Sequence, residues 1–180
     1  MKKITICAMM IICFSVFAAF AGDWKINNDE TQMSFKIKGP FGTVNGTIKN
    51  LTGSINFDEK KLSDSKIDVR GDATTIKTGN NMRDRHLKKE EWFDASKFPS
   101  IHFISQSFSQ TPEGFIINGI LTLKDVSKPI SFPFIVERKG KTSVFKGEFT
   151  INRIDYGVGE KSFTVGNDVH VLLEVPATEK

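Results

Sequence analysis

The chain of 180 residues has only two cysteines, Cys7 and Cys13, and both lie within its first 21 residues. If that segment is removed, the remainder can form no disulfide, no thiol nucleophile and no thiolate metal site. Histidines number three. His102 and His170 fall on strand positions opposite in parity to the apolar Phe103 and Val171, so they do not converge with His86. His86 and Glu90 are four apart, a spacing that on a helix could present a metal or an acid–base pair, and this is the enzymatic, for instance hydrolytic, reading. No serine sits in a nucleophile elbow and no Gly-rich phosphate loop occurs, so catalysis lacks a convergent set and no cofactor is called for. One tyrosine and two tryptophans are too few for the aromatic girdles of an outer-membrane barrel. Solenoid-length repeats and low-complexity linkers are also missing.

What is present begins with Lys2 and Lys3, an apolar run from Ile4 to Phe20, and Ala19-Phe20-Ala21 as a small-x-small cleavage site. This reads as a cleavable secretory signal over 1–21, giving a mature domain over 22–180 in the periplasm or outside the cell. The competing reading is a membrane anchor, for which the run is borderline in length. No lipobox precedes either cysteine. Taking Lys2 and Lys3 from 25 basic residues leaves 23 against 21 acids, a mature charge of +2. Such a balance, together with export, argues against nucleic acid as a partner.

The mature part alternates. Ile117, Leu121 and Leu123 share odd positions, as do Phe145, Phe149 and Ile151, and Val169, Val171, Leu173 and Val175. Ile130, Phe132, Phe134 and Val136 take even positions. A period of two means strands with one apolar and one wet face. Further alternating segments occur around Trp24–Ile26, Met33–Lys38, Val44–Ile48, Ile55–Phe57, Ile67–Ala73 and Ile101–Phe103. Gly39-Pro40-Phe41-Gly42, Pro112-Glu113-Gly114 and Lys139-Gly140-Lys141 supply turns, and Gly46 suggests a bulge or a close approach. The period fails between Gly79 and Phe93, where Met82, His86 and Glu90 fall at helical spacing and Thr78 or Asn80 can cap.

Together these predict an all-β, antiparallel barrel or sandwich of eight or nine strands with a helical insertion near 79–93. A small barrel can be packed solid or can hold one ligand, and periodicity alone leaves both open. Thirteen of the sixteen phenylalanines belong to the mature part, enough to line a large dry interior.

The insertion carries a resemblance. Thr75-Ile76-Lys77-Thr78-Gly79-Asn80, Arg83-Asp84-Arg85-His86-Leu87, Trp92-Phe93-Asp94 and Phe98-Pro99-Ser100-Ile101-His102-Phe103 together resemble the central signature of the YceI-like family of secreted lipid- and polyisoprenoid-binding proteins. Gly119–Ile130, Phe149–Gly159 and Val165–Val169 are similar to its later segments, in order. Two departures are Asp125, where the family usually has glycine, and the additional Asn167. The resemblance covers nearly all of 23–176. It implies an extended lipocalin-like barrel with an apolar tunnel, a binding and transport role rather than catalysis, and a long-chain isoprenoid, isoprenoid quinone-type or other amphiphilic lipid as partner.

On that reading, parity nominates Phe35, Ile37, Phe57, Ile67, Val69, Phe103, Leu121, Leu123, Phe132, Phe134, Phe149, Ile151, Val171 and Leu173 as lumen and ligand contacts. A helix start near Asn80 with Arg83, Arg85 and Lys88, and with His86 beside them, could hold an anionic head group. The structural alternative has Asp84 capping or pairing with Arg83 or Arg153, and His86 bonding backbone. A third class is a non-catalytic scaffold or stress-response module. The outward but apolar Ile116, Ile120, Ile135 and Leu172 could then form a homodimer face.

Overall fold

The computed structural model describes residues 22–180. The expected signal segment lies outside the described residues. Nine strands follow one another: β1 (Asp23–Ile26), β2 (Gln32–Gly39), β3 (Gly42–Asn56), β4 (Lys66–Lys77), β5 (Ser100–Thr111), β6 (Gly114–Leu123), β7 (Val126–Lys139), β8 (Thr142–Asn152) and β9 (Asp168–Glu179). One helix, α1 (Asn81–Leu87), separates β4 from β5. The sheet order is β3-β2-β9-β8-β7-β6-β5-β4, and β4 pairs back onto β3, so eight antiparallel strands close a barrel. β1 fills the same gap as β2, farther along, pairing Trp24 with Ile55 of β3 and Ile26 with Ala177 of β9. The two are one strand position interrupted by the turns at 27–31, which reconciles eight strands with nine. No helix among the described residues is long and apolar enough to cross a membrane.

Closure fixes the direction of every side chain. In register, Phe35 lies opposite Val171, Val171 opposite Phe149, and Phe103 opposite Leu121, all on the inner face. The outer face carries rows such as Lys36, His170 and Thr150. Ile116, Ile120 and Leu172 are half-buried on that outer face, and Ile135 is exposed on it.

Two bulges break the alternation. In β3 the inward residues change from Val44 and Ile48 to Leu51 and Ile55, because Asn50 takes φ 58° within the register shift between Lys49 and Thr52, which follows another between Thr47 and Lys49. Its side chain donates to Asp72 Oδ2 at 3.2 Å. The bulge is therefore at Asn50, and Gly46 is the close approach instead. In β5 the register shifts between Ser105 and Ser107, after which Phe108 packs on the core.

Helix α1 is shorter than the 79–93 insertion predicted by spacing. Asn80 Oδ1 caps it by accepting from the backbone N–H groups of Met82 and Arg83. After Lys88 the chain passes into turns, with Asp94 at φ 45°. Glu90 and Glu91 would add negative charge where the terminal carbonyls already concentrate it. The turn also lets the adjacent Trp92 and Phe93 both reach the interior, which residues about 100° apart on a helix could not readily do.

Candidate functional site

The barrel is hollow. Its lumen holds a cavity of about 670 Å³, a size typical of small-molecule sites. The wall is almost wholly aliphatic and aromatic. One end is shut. Phe57, only 1% exposed, is the hub of a ring cluster with centroid separations of 5.1 Å to Phe115, 5.2 Å to Phe134, 5.5 Å to Phe108 and 5.9 Å to Phe145. Trp24 stands edge-on to Phe145 at 5.4 Å, and its Nε1–H donates to the Phe57 carbonyl at 3.1 Å. Ser143, 0% exposed and opposite the core residue Ala177, brings one hydroxyl into this otherwise apolar plug, and its Oγ has no hydrogen-bond partner among the described residues.

Above the floor the bore stays open because inward glycines sit beneath phenylalanine rings. Gly46 pairs with Phe35, and a Cβ on Gly46 would stand 2.1 Å from the Phe35 ring. Likewise a Cβ on Gly119 would come within 2.6 Å of the Phe103 ring. Phe103, Phe132 and Phe149 continue around the wall at 5.6 and 4.7 Å. The rings lie against the sheet, in space a side chain would otherwise take, rather than across the lumen.

The other end is the mouth, bordered by the β2–β3 turn, α1 with the turns after it, and the loop between β8 and β9. Thr78 organises one side. Its N–H and its hydroxyl both donate to Asp84 Oδ1, at 2.8 and 2.5 Å. Arg83 donates from Nε to Thr78 Oγ1 at 2.7 Å and from Nη2 to the Thr78 carbonyl at 2.8 Å. Arg83 Nη1 has no hydrogen-bond acceptor among the described residues, and the side chain borders the cavity. His86 packs edge-on to Trp92 at 6.0 Å.

Arg153 organises the other side. It is 2% exposed and takes three backbone carbonyls: Nε to Gly166, Nη1 to Val158 and Nη2 to Glu160, at 2.7–2.8 Å. Its guanidinium lies 5.1 Å over the Trp92 ring. Burial pulls its pKa below the usual arginine range. Lys124 Nζ reaches the Glu90 and Gly157 carbonyls at 3.0 and 3.2 Å and so ties the two sides together. The expected partnership of Asp84 with Arg83 or Arg153 is thus corrected. Thr78 stands between Asp84 and Arg83, and Arg153 serves the opposite loop.

Of the fourteen residues nominated from parity, thirteen border the cavity, and Phe57 is the exception, lying in the floor beneath it. Asn80, Arg83 and His86 border the mouth. Arg85 is exposed on α1 and does not border the cavity, and neither does Lys88. Asn80 is committed to capping. Among the cavity residues that parity does not nominate, Leu51 is hidden by the bulge, whereas Val44 and Ile48 precede it on an unbroken alternating run. Trp92, Phe93, Val158 and Val165 were missed because loops have no period. Ile55, Ile101, Ile117, Phe145 and Val169 share the inward parity of their nominated neighbours and were there to be found. Elsewhere, His102 Nε2 meets Asp68 Oδ1 at 2.9 Å and His170 Nδ1 meets Thr150 Oγ1 at 2.8 Å, both on the outer wall. Among the described residues no group of three or more His, Cys, Asp or Glu could hold a metal ion.

A closed antiparallel barrel with a floor, a mouth and an apolar lumen defines an extended lipocalin-like fold. The sequence profile of the YceI-like domain matches residues 24–177, and the chain belongs to that family. Protein YceI of Escherichia coli O6:H1 is 26% identical over 178 residues, covering 94% of this chain and 93% of that protein. Among solved structures, BcnA of Burkholderia cenocepacia superposes with a TM-score of 0.79 at 22% identity, over 86% of this chain and 100% of that one. A polyisoprenoid binding domain from Saccharophagus degradans, implicated in plant cell wall breakdown, gives 0.67 at 11% identity, over 89% and 99%.

Proposed function

We propose that this protein, exported through a signal over 1–21, binds and carries or sequesters one long-chain apolar lipid of the polyisoprenoid or isoprenoid-quinone type. The single observation behind this is a lumen of about 670 Å³ walled by apolar side chains and open at one end only. Family membership and a structural neighbour named for polyisoprenoid binding support the same class. No cofactor and no catalytic residue enter this reading.

The physics is that of non-directional burial. Each CH₂ group taken from water gains about 0.8 kcal/mol, against the cost of association and of ordering a flexible chain. The tail lies along Phe35, Phe103, Phe132, Phe149 and Val171 with its end toward the Phe57 floor. The head stays at the mouth, where the free face of Arg83 and the His86 ring offer the polar contacts. Organic extraction of the purified protein followed by mass spectrometry tests the reading. One lipid per chain is expected. A folded protein that yields no lipid, and takes up none from a dispersed polyisoprenoid alcohol, defeats it. Arg83→Met should weaken a phosphorylated tail by about tenfold and leave an unphosphorylated one little changed. Equal loss for both would remove Arg83 from head-group recognition.

A further inference from the structure

Three large apolar side chains at the mouth are left in solvent. Phe41, on the β2–β3 turn, is 103% exposed, Phe163 in the loop before β9 is 110% exposed, and Met82 in the first turn of α1 is 74% exposed. Apolar groups scattered singly on a surface need no explanation, but free-standing rings gathered at one rim do. The rings are held on braced supports. Gly166 N–H donates to the Lys38 carbonyl at 2.8 Å, joining the two Phe-bearing segments, and Arg153 fixes the loop that carries Phe163.

The charge beside Phe41 and Met82 is mainly basic. Lys38, Lys77, Arg85, Lys88 and Lys89 lie in these segments, and the acid among them, Asp84, is buried and bonded to Thr78. The rim's other exposed acids are Glu90 and Glu91 after the helix, Asp125 in the β6–β7 turn, Asp155 and Glu160 in the loop before β9, and Asp168 at the start of β9, one register step from the Ile37–Val169 pair.

We propose that the mouth docks on an anionic phospholipid bilayer. Phe41 and Phe163 insert among the head groups, with Met82 beside them, and the basic residues face lipid phosphate. Isolated protruding rings suit a soft, penetrable layer better than the flat, closely packed core of a protein interface. The clustered lysines and arginines supply the electrostatic part, which salt screens. Docked in this way, the opening of the cavity faces the layer. The proposal stands without any assignment of the lumen's ligand, because docking is read on the empty protein.

Residues 22–180 close the barrel among themselves and are the species to use. Co-sedimentation is measured with vesicles of phosphatidylglycerol and phosphatidylcholine, and with phosphatidylcholine alone. The protein should partition onto the anionic vesicles, less so at high salt. Phe41→Ser with Phe163→Ser should lower partitioning by at least about tenfold, with an unchanged melting temperature because neither ring is buried. Lys77→Glu with Lys89→Glu should abolish the preference for anionic vesicles. The proposal is overturned if the parent protein stays in the supernatant with both vesicle types. It is equally overturned if the double serine variant binds as the parent does, or if the parent favours neutral vesicles.

Discussion

A glycine facing inward in a small barrel removes a side chain from the lumen and gives a neighbouring ring somewhere to lie. At Gly46 the atoms a Cβ would meet all belong to the flexible Phe35 ring, whereas at Gly119 they include the Ile104 backbone carbonyl. Gly46→Ala is therefore the cleaner probe. The added methyl pushes the ring off the wall and into the bore. We expect a cost of about 1–3 kcal/mol in urea unfolding and a reduced uptake of the bulkiest tails. A ring that stayed in place, seen as unaltered uptake and stability, would remove this account of the open bore. Arg153 is the second residue of consequence. Three backbone carbonyls, that of Val158 buried and those of Gly166 and Glu160 part-buried, depend on it, and lysine has one nitrogen with which to reach them. Arg153→Met should cost about 2–4 kcal/mol and expose the 157–167 loop to protease before the barrel itself unfolds. Simultaneous cleavage throughout the chain would show that the loop is held by something else.

At the scale of the element, the joint between β4 and β5 is held on its outer side by Asp68. The hydrogen bond from His102 lowers its pKa most, and the Arg70 charge at 3.1 Å adds to that, while burial opposes both. A carboxylate whose folded pKa lies below its unfolded value stabilises fully above the unfolded value, near 3.8, and loses the contribution as pH falls through the folded one. The melting temperature should accordingly fall between about pH 5 and pH 3. In Asp68→Asn that fall should be shallower and the neutral-pH stability lower. Parallel pH profiles for the two proteins would show that Asp68 contributes nothing to the acid limb. Elements also show how far sequence reached. Wherever a strand runs unbroken, as in β6, β8 and β9, parity alone places Leu121, Phe149 and Val171 on the cavity wall. Where Asn50 or the Ser105–Ser107 shift inserts a residue, parity inverts, and a short polar bulge leaves no hydrophobic trace to read. The end of α1 escaped for a related reason. His86 and Glu90 keep helical spacing, but the chain had already turned to bring Trp92 and Phe93 inward, a tertiary demand that local pattern does not record. Closure by β3 with β4, and with it the hollow, arises from pairing between strands and is written in no single segment.

For the whole molecule the floor matters as much as the wall. A bore that is open at one end and plugged at the other measures length. Each added CH₂ that remains within it should tighten binding by about fourfold, and carbons beyond the mouth should add little because they remain in water or at the head group. Affinity plotted against chain length in a homologous series should rise and then level off, and the depth of the Phe57 cluster sets where it levels. Phe57→Leu shortens the plug's central ring while keeping it apolar. The cluster loses edge-to-face contacts with Phe115, Phe134 and Phe145, so stability should drop by about 1–3 kcal/mol. The levelling point should move to a longer chain. Phe134→Leu, which borders both floor and cavity, should act in the same direction. Titration of a fluorescent fatty-acid series into the parent and the two variants reads all of this. A levelling point that stayed fixed while stability fell would mean that chain length is gauged at the mouth, by Arg83 and the Trp92 side, and not by the aromatic floor.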